Sequence, residues 1–577
     1  MNPGTLLYEP VPLSFPPLRV GVMLDGLEGE QWIRSILDQL AACPFVELAV
    51  AIVNRETIPR PARRGVQSRL KGQLYWQYSK FDAYQRPKSS CFARAGFSPP
   101  LSGVEVLSVV PRRKGFVHRF EAADVAALQA RKLDVILRFG FNILRGDVLA
   151  VARCGLWSFH HDDNMEYRGG PPMFWEIYEG NPLTGTVLQI LMDELDGGQI
   201  IFRTWGATAN SMWLNQCREQ LYRKSFAFVV RCLRRLYLLQ NTTPMIEHDD
   251  RRYTKDRIFR KPTNTEMVYF FVRALRKSLS GRVTNQFTRV QWFLAYRRDP
   301  SRFIANTDRA DMSGFVPMRP PANEFWADPS VITREGRDYV FFERYFYQTR
   351  RGEIAVFTFD DAGRPLPMQS VLRREYHLSN PFVFEWEGQI YMIPESADAS
   401  AVQLFRAEEF PTRWRHERDL LTGLPMADAT LHFHEGRWYM FVNVSETGGS
   451  LDDELFLFHA DTPLGPWHPH AQNPIKSDVR SARPAGRLFR RGGALIRPSQ
   501  DCSVAYGYAI NFCEVETLSP TQYRERVVER IEPTWRPGLL GCHTLGASDT
   551  CEVVDAKWRI PRRPAWVGPV GRPASGF

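Results

Sequence analysis

The sequence predicts a multidomain chain built from a doubly wound α/β domain, a basic helical connector and a five-bladed β-propeller. Three observations carry this. Strand-like and helix-like runs alternate through the first part, basic residues accumulate in one middle segment, and a glycine-centred hairpin recurs at intervals near fifty residues in the last part. The length of 577 residues agrees, since one hydrophobic core serves roughly 100–200 residues.

In the first part, Leu18 to Met23 is a short apolar run followed by a helical stretch from Glu28 to Ala42. Val46 to Val53 reads as a second buried strand, Glu121 to Lys132 as a helix and Asp134 to Phe139 as a third strand. Alternation of this kind implies a parallel sheet with helices on both faces, placed at residues 18–210. Residues 55–100, rich in Arg, Pro, Ser and Gln, read as a long surface insertion.

The middle part is defined by charge. The chain carries a formal net charge of +10, but residues 201–320 alone hold 23 Lys and Arg against 9 Asp and Glu, so the remainder is net acidic. Met212 to Leu239 keeps an apolar stripe of Leu214, Cys217, Leu221, Phe226, Val229 and Val230, and Thr265 to Arg298 mixes aromatics with arginines. Residues 211–316 are accordingly read as a helical connector with a solvated basic face or one facing an anionic surface. Nucleic acid is disfavoured, because the charge is local rather than spread over the chain. Arg231, Arg234 and Arg235 interrupt the most apolar helix, so a spanning segment is not expected. The first residues lack a basic-then-apolar leader, and nine cysteines form no CxxC pair. The expectation is a cytoplasmic protein, free or peripheral at the inner membrane face, with reduced thiols and no bound metal.

The last part repeats itself. Gly336, Gly388, Gly436 and Gly493 each occupy a turn between two strand-like runs, 52, 48 and 57 residues apart. Eight residues before these glycines stand Asp328, Asn380, Asp428 and Ala485; seven after them stand Glu343, Glu395, Asn443 and Gln500. A hairpin at this period is what propeller blades require, and a fainter fifth copy at residues 551–560 gives five blades over 317–565. Innermost strands face a common axis, so Asp328, Glu343, Glu395 and Asp428 are expected to converge there as sugar-binding carboxylates. Several carboxylates in one cleft push their pKa values apart and can supply an acid and a base. Trp326, Phe346, Trp386, Trp438 and Trp467 are candidates for stacking on sugar faces.

Residues 139–200 contain FGFNIL, a strand ending at His160, Tyr167-Arg168-Gly169-Gly170, Trp175, Thr184-Gly185 and Leu195-Asp196-Gly197-Gly198. In order and spacing this region resembles the folate-dependent formyltransferases, which include methionyl-tRNA and amino-sugar N-formyltransferases. The resemblance implies catalysis by His160 and Asp196, with Ser158 where the family has an asparagine. It also implies that 10-formyltetrahydrofolate lies against Phe139, Gly140, Ile143, Leu144 and Asp193, and that the acceptor lies near Tyr167, Arg168 and Gly169. An asparagine there helps hold the oxyanion formed when an amine attacks the formyl carbon, and Ser158 has a shorter arm. Arg145 replaces the proline that usually follows the folate-facing loop.

The segments WADPSV, NPFVFEWEGQIYMIPES, ADATLHFHEGRWYMF and RPAGRLFRRGGALIRPSQDCSVAYG resemble the propeller domain of plant glucosamine inositolphosphorylceramide transferases. More distantly this part is similar to five-bladed glycosidases of the arabinanase and invertase type, whose three carboxylates would correspond to Asp328, Asp428 and Glu395. Together the two resemblances imply formyl transfer to an amino sugar, carried on a nucleotide or a lipid, with the propeller recognising the glycan. The alternative is a glycan hydrolase, or a domain associated with glycosyl transfer, attached to a degenerate formyltransferase scaffold.

Overall fold

The computed structural model describes residues 6–56, 72–85, 87, 90–194, 197–209, 211–240 and 257–562. Its N-terminal region is α/β. Strands β1 (Leu18–Leu24), β2 (Val46–Asn54), β3 (Glu105–Val109), β4 (Val135–Arg138) and β5 (Leu156–His160) run parallel, and β6 (Leu183–Ile190) and β7 (Gln199–Ala207) are antiparallel. The sheet order is β7-β6-β5-β4-β1-β2-β3, so the strand order reverses between β1 and β4. Helix α1 (Gln31–Ala41) covers one face with Trp32, Ile36, Leu37 and Leu40. The other face packs on Val125 and Leu128 from a helix at Ala122–Ala130. The surface insertion contributes α2 (Gln73–Tyr84); its residues 57–71 lie outside the described residues.

Helix α3 (Leu214–Leu239) buries five of the six stripe residues read from the sequence and leaves Val230 half-buried. Two of its basic residues also turn inward, contrary to a uniformly solvated basic face. Arg231 donates to Glu454 at 2.7 and 2.8 Å, to Glu446 and to the Tyr8 hydroxyl at 2.7 Å. Lys224 pairs with Asp453 at 3.2 Å. Burial opposes the Arg231 charge, but the carboxylates of Glu446 and Glu454 outweigh it and raise its pKa further.

The second connector helix, α4 (Asn264–Phe287), starts with a capping box between Thr263 and Glu266. It ends eleven residues before the boundary read from the sequence. Thr288–Arg297 is strand β8 instead, because Trp292, Phe293, Leu294 and Ala295 form a run buried on both faces. Phe270, Trp292 and Phe293 are therefore core residues, not surface aromatics.

The C-terminal region is all-β, with five antiparallel sheets. The first spans Glu324–Leu372, the second Ser379–Thr422, the third Met426–Pro469 and the fourth Phe489–Ile531, each with four strands. In the fifth, β8 pairs along ten residues with β10 (Glu552–Pro561), flanked by β9 (Val316–Met318) and by short strands at Leu539–Gly541 and Leu545–Ala547. This sheet thus joins a strand from the stretch read as connector to the fifth repeat. The four repeat turns share one geometry: Glu335-Gly336, Glu387-Gly388, Glu435-Gly436 and Gly492-Gly493 all have positive φ at both residues, as two-residue hairpin turns demand.

The inward turn of Arg231 generates a prediction. Arg231→Met leaves two carboxylates buried without their cation, so urea unfolding is expected to show a loss of about 3–5 kcal/mol. A loss under about 1 kcal/mol would mean that the pair is effectively solvated.

Candidate functional site

Where strand order reverses in an open α/β sheet, the loops leaving the carboxyl ends diverge and form a crevice. Here those loops begin at Asp25, after β1, and Phe139, after β4. A Cβ at Gly140 would stand 2.4 Å from the Asp25 nitrogen, so only glycine fits between the two loops. Asp25 accepts the Phe141 N–H at 2.7 Å, and the Phe141 and Leu144 side chains drop into the core. Phe139 lies against Trp32 and Phe159, Ile143 is half-buried, and Asp193 accepts the Gly146 N–H at 3.1 Å.

Arg138 ends β4 and its guanidinium is buried. It donates to the Ser158 hydroxyl at 2.8 Å and to the Phe141 carbonyl at 3.3 Å, while its Nε has no hydrogen-bond partner. Burial lowers its pKa, against the opposing effect of Asp25. Ser158 therefore receives a charged donor from behind, and its own proton is directed to the Phe159 carbonyl at 3.3 Å. His160, the last residue of β5, is half-buried with Nε2 3.3 Å from the Tyr167 carbonyl. A carbonyl only accepts, so this contact places the proton on Nε2 and leaves Nδ1 as the basic nitrogen. Asp196 lies outside the described residues.

The polar run after His160 divides among separate partners. His161 stacks on Tyr222 at 3.7 Å, and burial, then the neighbouring charges of His160 and Arg218, hold its pKa down to about 3. Asp162 accepts the Met173 N–H at 2.7 Å; burial pushes its pKa up to about 6, and the nearby Glu176 carboxyl, fully enclosed, is raised well above its usual range for the same reason. Asp163 accepts from Trp205 at 3.3 Å, and Asn164 from Arg203 at 3.4 Å. The Tyr167 ring packs on Phe259 and its hydroxyl donates to Glu179, while Arg168 and Gly169 pair with Ile258 and Phe259. The proposed acceptor residues are thus held by the strand before α4.

The repeat columns meet in the C-terminal region. Asp328, Asn380 and Asp428 all have positive φ and sit in a bulge where the first strand of each sheet skips register. A narrow cleft beside them is lined by residues of the first, second, third and fifth sheets, including Ser330, Asn380, Thr430 and Gly546, and by Gly486 just before the fourth. Asp428 is clamped by Arg483 at 2.6 Å and by Gln500 at 3.1 Å. Glu395 accepts from Ser379 at 2.6 Å. Glu343 is buried, and its pKa is driven well up by that burial and then by the charges of Asp328, Glu395, Asp555 and Asp428. The four carboxylates read from the sequence are therefore gathered into one electrostatic neighbourhood.

Three residues that sequence reading missed complete it. His543 stands 2.6 Å from Asp555 and 3.5 Å from Asp328, and Thr544 donates to Asp328 at 3.0 Å. Ligand atoms of Asp328, His543 and Asp555 lie within 4.8 Å of one another, a spacing that could hold a metal ion. Asp555 falls inside the faint fifth repeat, so extending the column beyond Gln500 was the available signal. Burial pushes Asp328 up to about 7. Burial opposes the His543 charge, but Asp555 and Asp328 prevail and raise its pKa. Of the tryptophans considered for sugar stacking, Trp326 is core and Trp386 packs edge-on against Trp438.

Residues 315–534 match the family model of glucosamine inositolphosphorylceramide transferase 1, N-terminal. The rice protein of that name is 37% identical over 209 residues, which is 36% of this chain and 28% of the rice protein. The N-terminal region is similar to formyltransferase relatives. The bifunctional polymyxin resistance protein ArnA of Wigglesworthia glossinidia brevipalpis is 26% identical over 170 residues, 27% of this chain and 24% of ArnA. Methionyl-tRNA formyltransferase of Chlorobium limicola is 32% identical over 112 residues, 19% of this chain and 35% of that enzyme. The chain spans well under half the length of each. The rice and Chlorobium relatives are transferases by name.

The cleft chemistry sets a pH dependence. An aspartate raised from 3.8 to about 7 on folding keeps its proton longer in the folded chain than in the unfolded one. Stability should therefore fall as pH climbs from about 4 to about 7, and raised His543 adds a fall of the same sign only above about 6.5. Urea unfolding across that range should show the slope and Asp328→Asn should reduce it, the remainder coming from Asp162, Glu176 and Glu343; an identical slope in the variant would contradict the assignment.

Proposed function

We propose that the chain transfers a formyl group from 10-formyltetrahydrofolate to an amino sugar, and that the five sheets are blades of a propeller whose central cleft recognises the glycan carrying that sugar. The observation that carries the first part is His160 at the end of β5 with Nδ1 left basic, beside the crevice where strand order reverses. The unpartnered Nε atoms of Arg138 and Arg145, both buried near the FGFNIL loop, suit a ligand rich in carbonyl and carboxylate oxygens such as a folate. When bound, the folate supplies an activated formyl carbon.

The residues of this chain do the remainder. His160 Nδ1 would accept the proton that the attacking amine gives up and return it to the folate nitrogen released when its bond to the formyl carbon breaks. Ser158 is the only side chain at the family's asparagine position, and its hydroxyl, supported by Arg138, faces the oxyanion role from a shorter arm. The names of the relatives support sugar chemistry in the second half, and a nucleotide- or lipid-linked amino sugar is the acceptor class that joins both halves. In the cleft, the carboxylates offer acceptors for sugar hydroxyls.

One observation favours a second reading. The Ser158 hydroxyl already accepts from Arg138 and donates to a backbone carbonyl, which suits a scaffold whose own chemistry has lapsed while the cleft acts on glycans.

Mass spectrometry of amino-sugar acceptors incubated with the full chain and 10-formyltetrahydrofolate decides between them. The first reading expects formylated product, a loss of about 100-fold or more in His160→Ala, and a rise in rate in Ser158→Asn. No product from the native chain or from Ser158→Asn, across nucleotide- and lipid-linked acceptors, would leave the scaffold reading.

A further inference from the structure

Helix α4 is about 36 Å long and buries only Met267 and Phe270 on one side. Its opposite side is apolar too. Val268, Val272, Leu275, Leu279, Val283 and Phe287 follow one another in steps of three or four residues, and every one is exposed, Leu275 by 60% and Phe287 by 63%. Such spacing makes a continuous stripe along one helical face. A stripe facing away from the core serves no packing purpose among the described residues.

The neighbouring helix α2 repeats the pattern. It is fixed against α4 by the ring of Tyr78 on Phe270 and Phe271 and by a bond from Leu74 N–H to Asn264. On its outer side Trp76 is 52% exposed and Tyr84 is 84% exposed, with the Lys80 ammonium 3.7 Å over the Trp76 ring.

Charge selects the occupant. Exposed Arg276 and Arg282 accompany the α4 stripe, and Lys80 accompanies the aromatics of α2. The one acid of α4, Glu266, is engaged in the capping box and with Arg257; the one acid of α2, Asp82, is buried on Asn215. Neither helix offers an outward carboxylate. A second copy of the chain laid stripe to stripe would bring like charges together with no acid to pair them. An anionic bilayer supplies hydrocarbon for the stripe, an interface for tryptophan and tyrosine, and headgroups for the cations.

We propose that α4 and α2 form a surface that docks peripherally on anionic lipid bilayers, with the α4 stripe lying in the interface. No described helix is long and apolar enough to cross a membrane, so the contact is interfacial. This surface stands on its own observations and does not depend on the formyl-transfer reading.

Flotation of the full chain with vesicles of phosphatidylcholine alone, or mixed with phosphatidylglycerol, tests the proposal. Recovery should be at least about tenfold higher on the anionic vesicles and should decline with salt. Leu275→Glu combined with Leu279→Glu should abolish it and Trp76→Ser should weaken it. All three positions are exposed, so circular dichroism and thermal melting should be unchanged. Absence of binding, equal recovery on both vesicle types, or binding indifferent to the substitutions would each overturn the proposal. Sedimentation showing a dimer that the double variant dissolves, without vesicle binding, would overturn it in favour of a second copy.

Discussion

The relation between the two halves rests on the buried guanidinium of Arg231. A cation and the two carboxylates of Glu446 and Glu454, all withdrawn from water, are tolerable only together. Helix α3 of the α/β region therefore has a fixed seat on the third sheet, and Lys224 with Asp453 repeats the arrangement two turns earlier. From that seat other contacts follow. Trp205 of β7 donates its N–H to the Ser477 carbonyl and accepts from Val479, while its indole binds Asp163 and lies under Arg480. A few residues further along the same loop, Arg483 clamps Asp428 in the sheet-lined cleft. One loop, 477–483, thus touches both the edge strand of the α/β sheet and the Asp428 carboxylate.

Much of the architecture was legible because it rests on local patterns. The parallel strands are short β-branched runs between helices, and the repeat glycines occupy turns where positive φ is required. In three of the repeats the −8 position is a bulge residue and the +7 position pairs with the residue just before it, which brings Asp328, Glu343, Glu395 and Asp428 near one another. What sequence reading lost depends on contacts between distant residues. Strand β8 joins a partner more than 250 residues away, and nothing in Thr288–Arg297 reveals that its neighbour is Glu552–Pro561. Arg231 looks like any helix-surface arginine until Glu454 is placed beside it. His543 belongs to the cleft only because the fifth sheet closes there.

The same contrast applies to the α/β site. His160 was legible as a strand-end histidine within a polar run, but the division of that run among Tyr222, Met173, Trp205 and Arg203 was not. His160 spends one ring nitrogen on the Tyr167 carbonyl. Ser158 was legible as a departure from the family's asparagine. The structure adds the reason that matters chemically: Arg138 sits behind it, and a charged donor there can strengthen the hydroxyl as a hydrogen-bond donor or simply hold it in place. These alternatives make opposite demands on the crevice, since only the first needs a ligand in it.

Binding of a folate to that crevice is therefore the central claim. Calorimetric titration of the full chain with 5-formyltetrahydrofolate, a stable relative of the donor, measures it directly. The account predicts saturable heat with one site per chain. Absence of heat at millimolar ligand would contradict it.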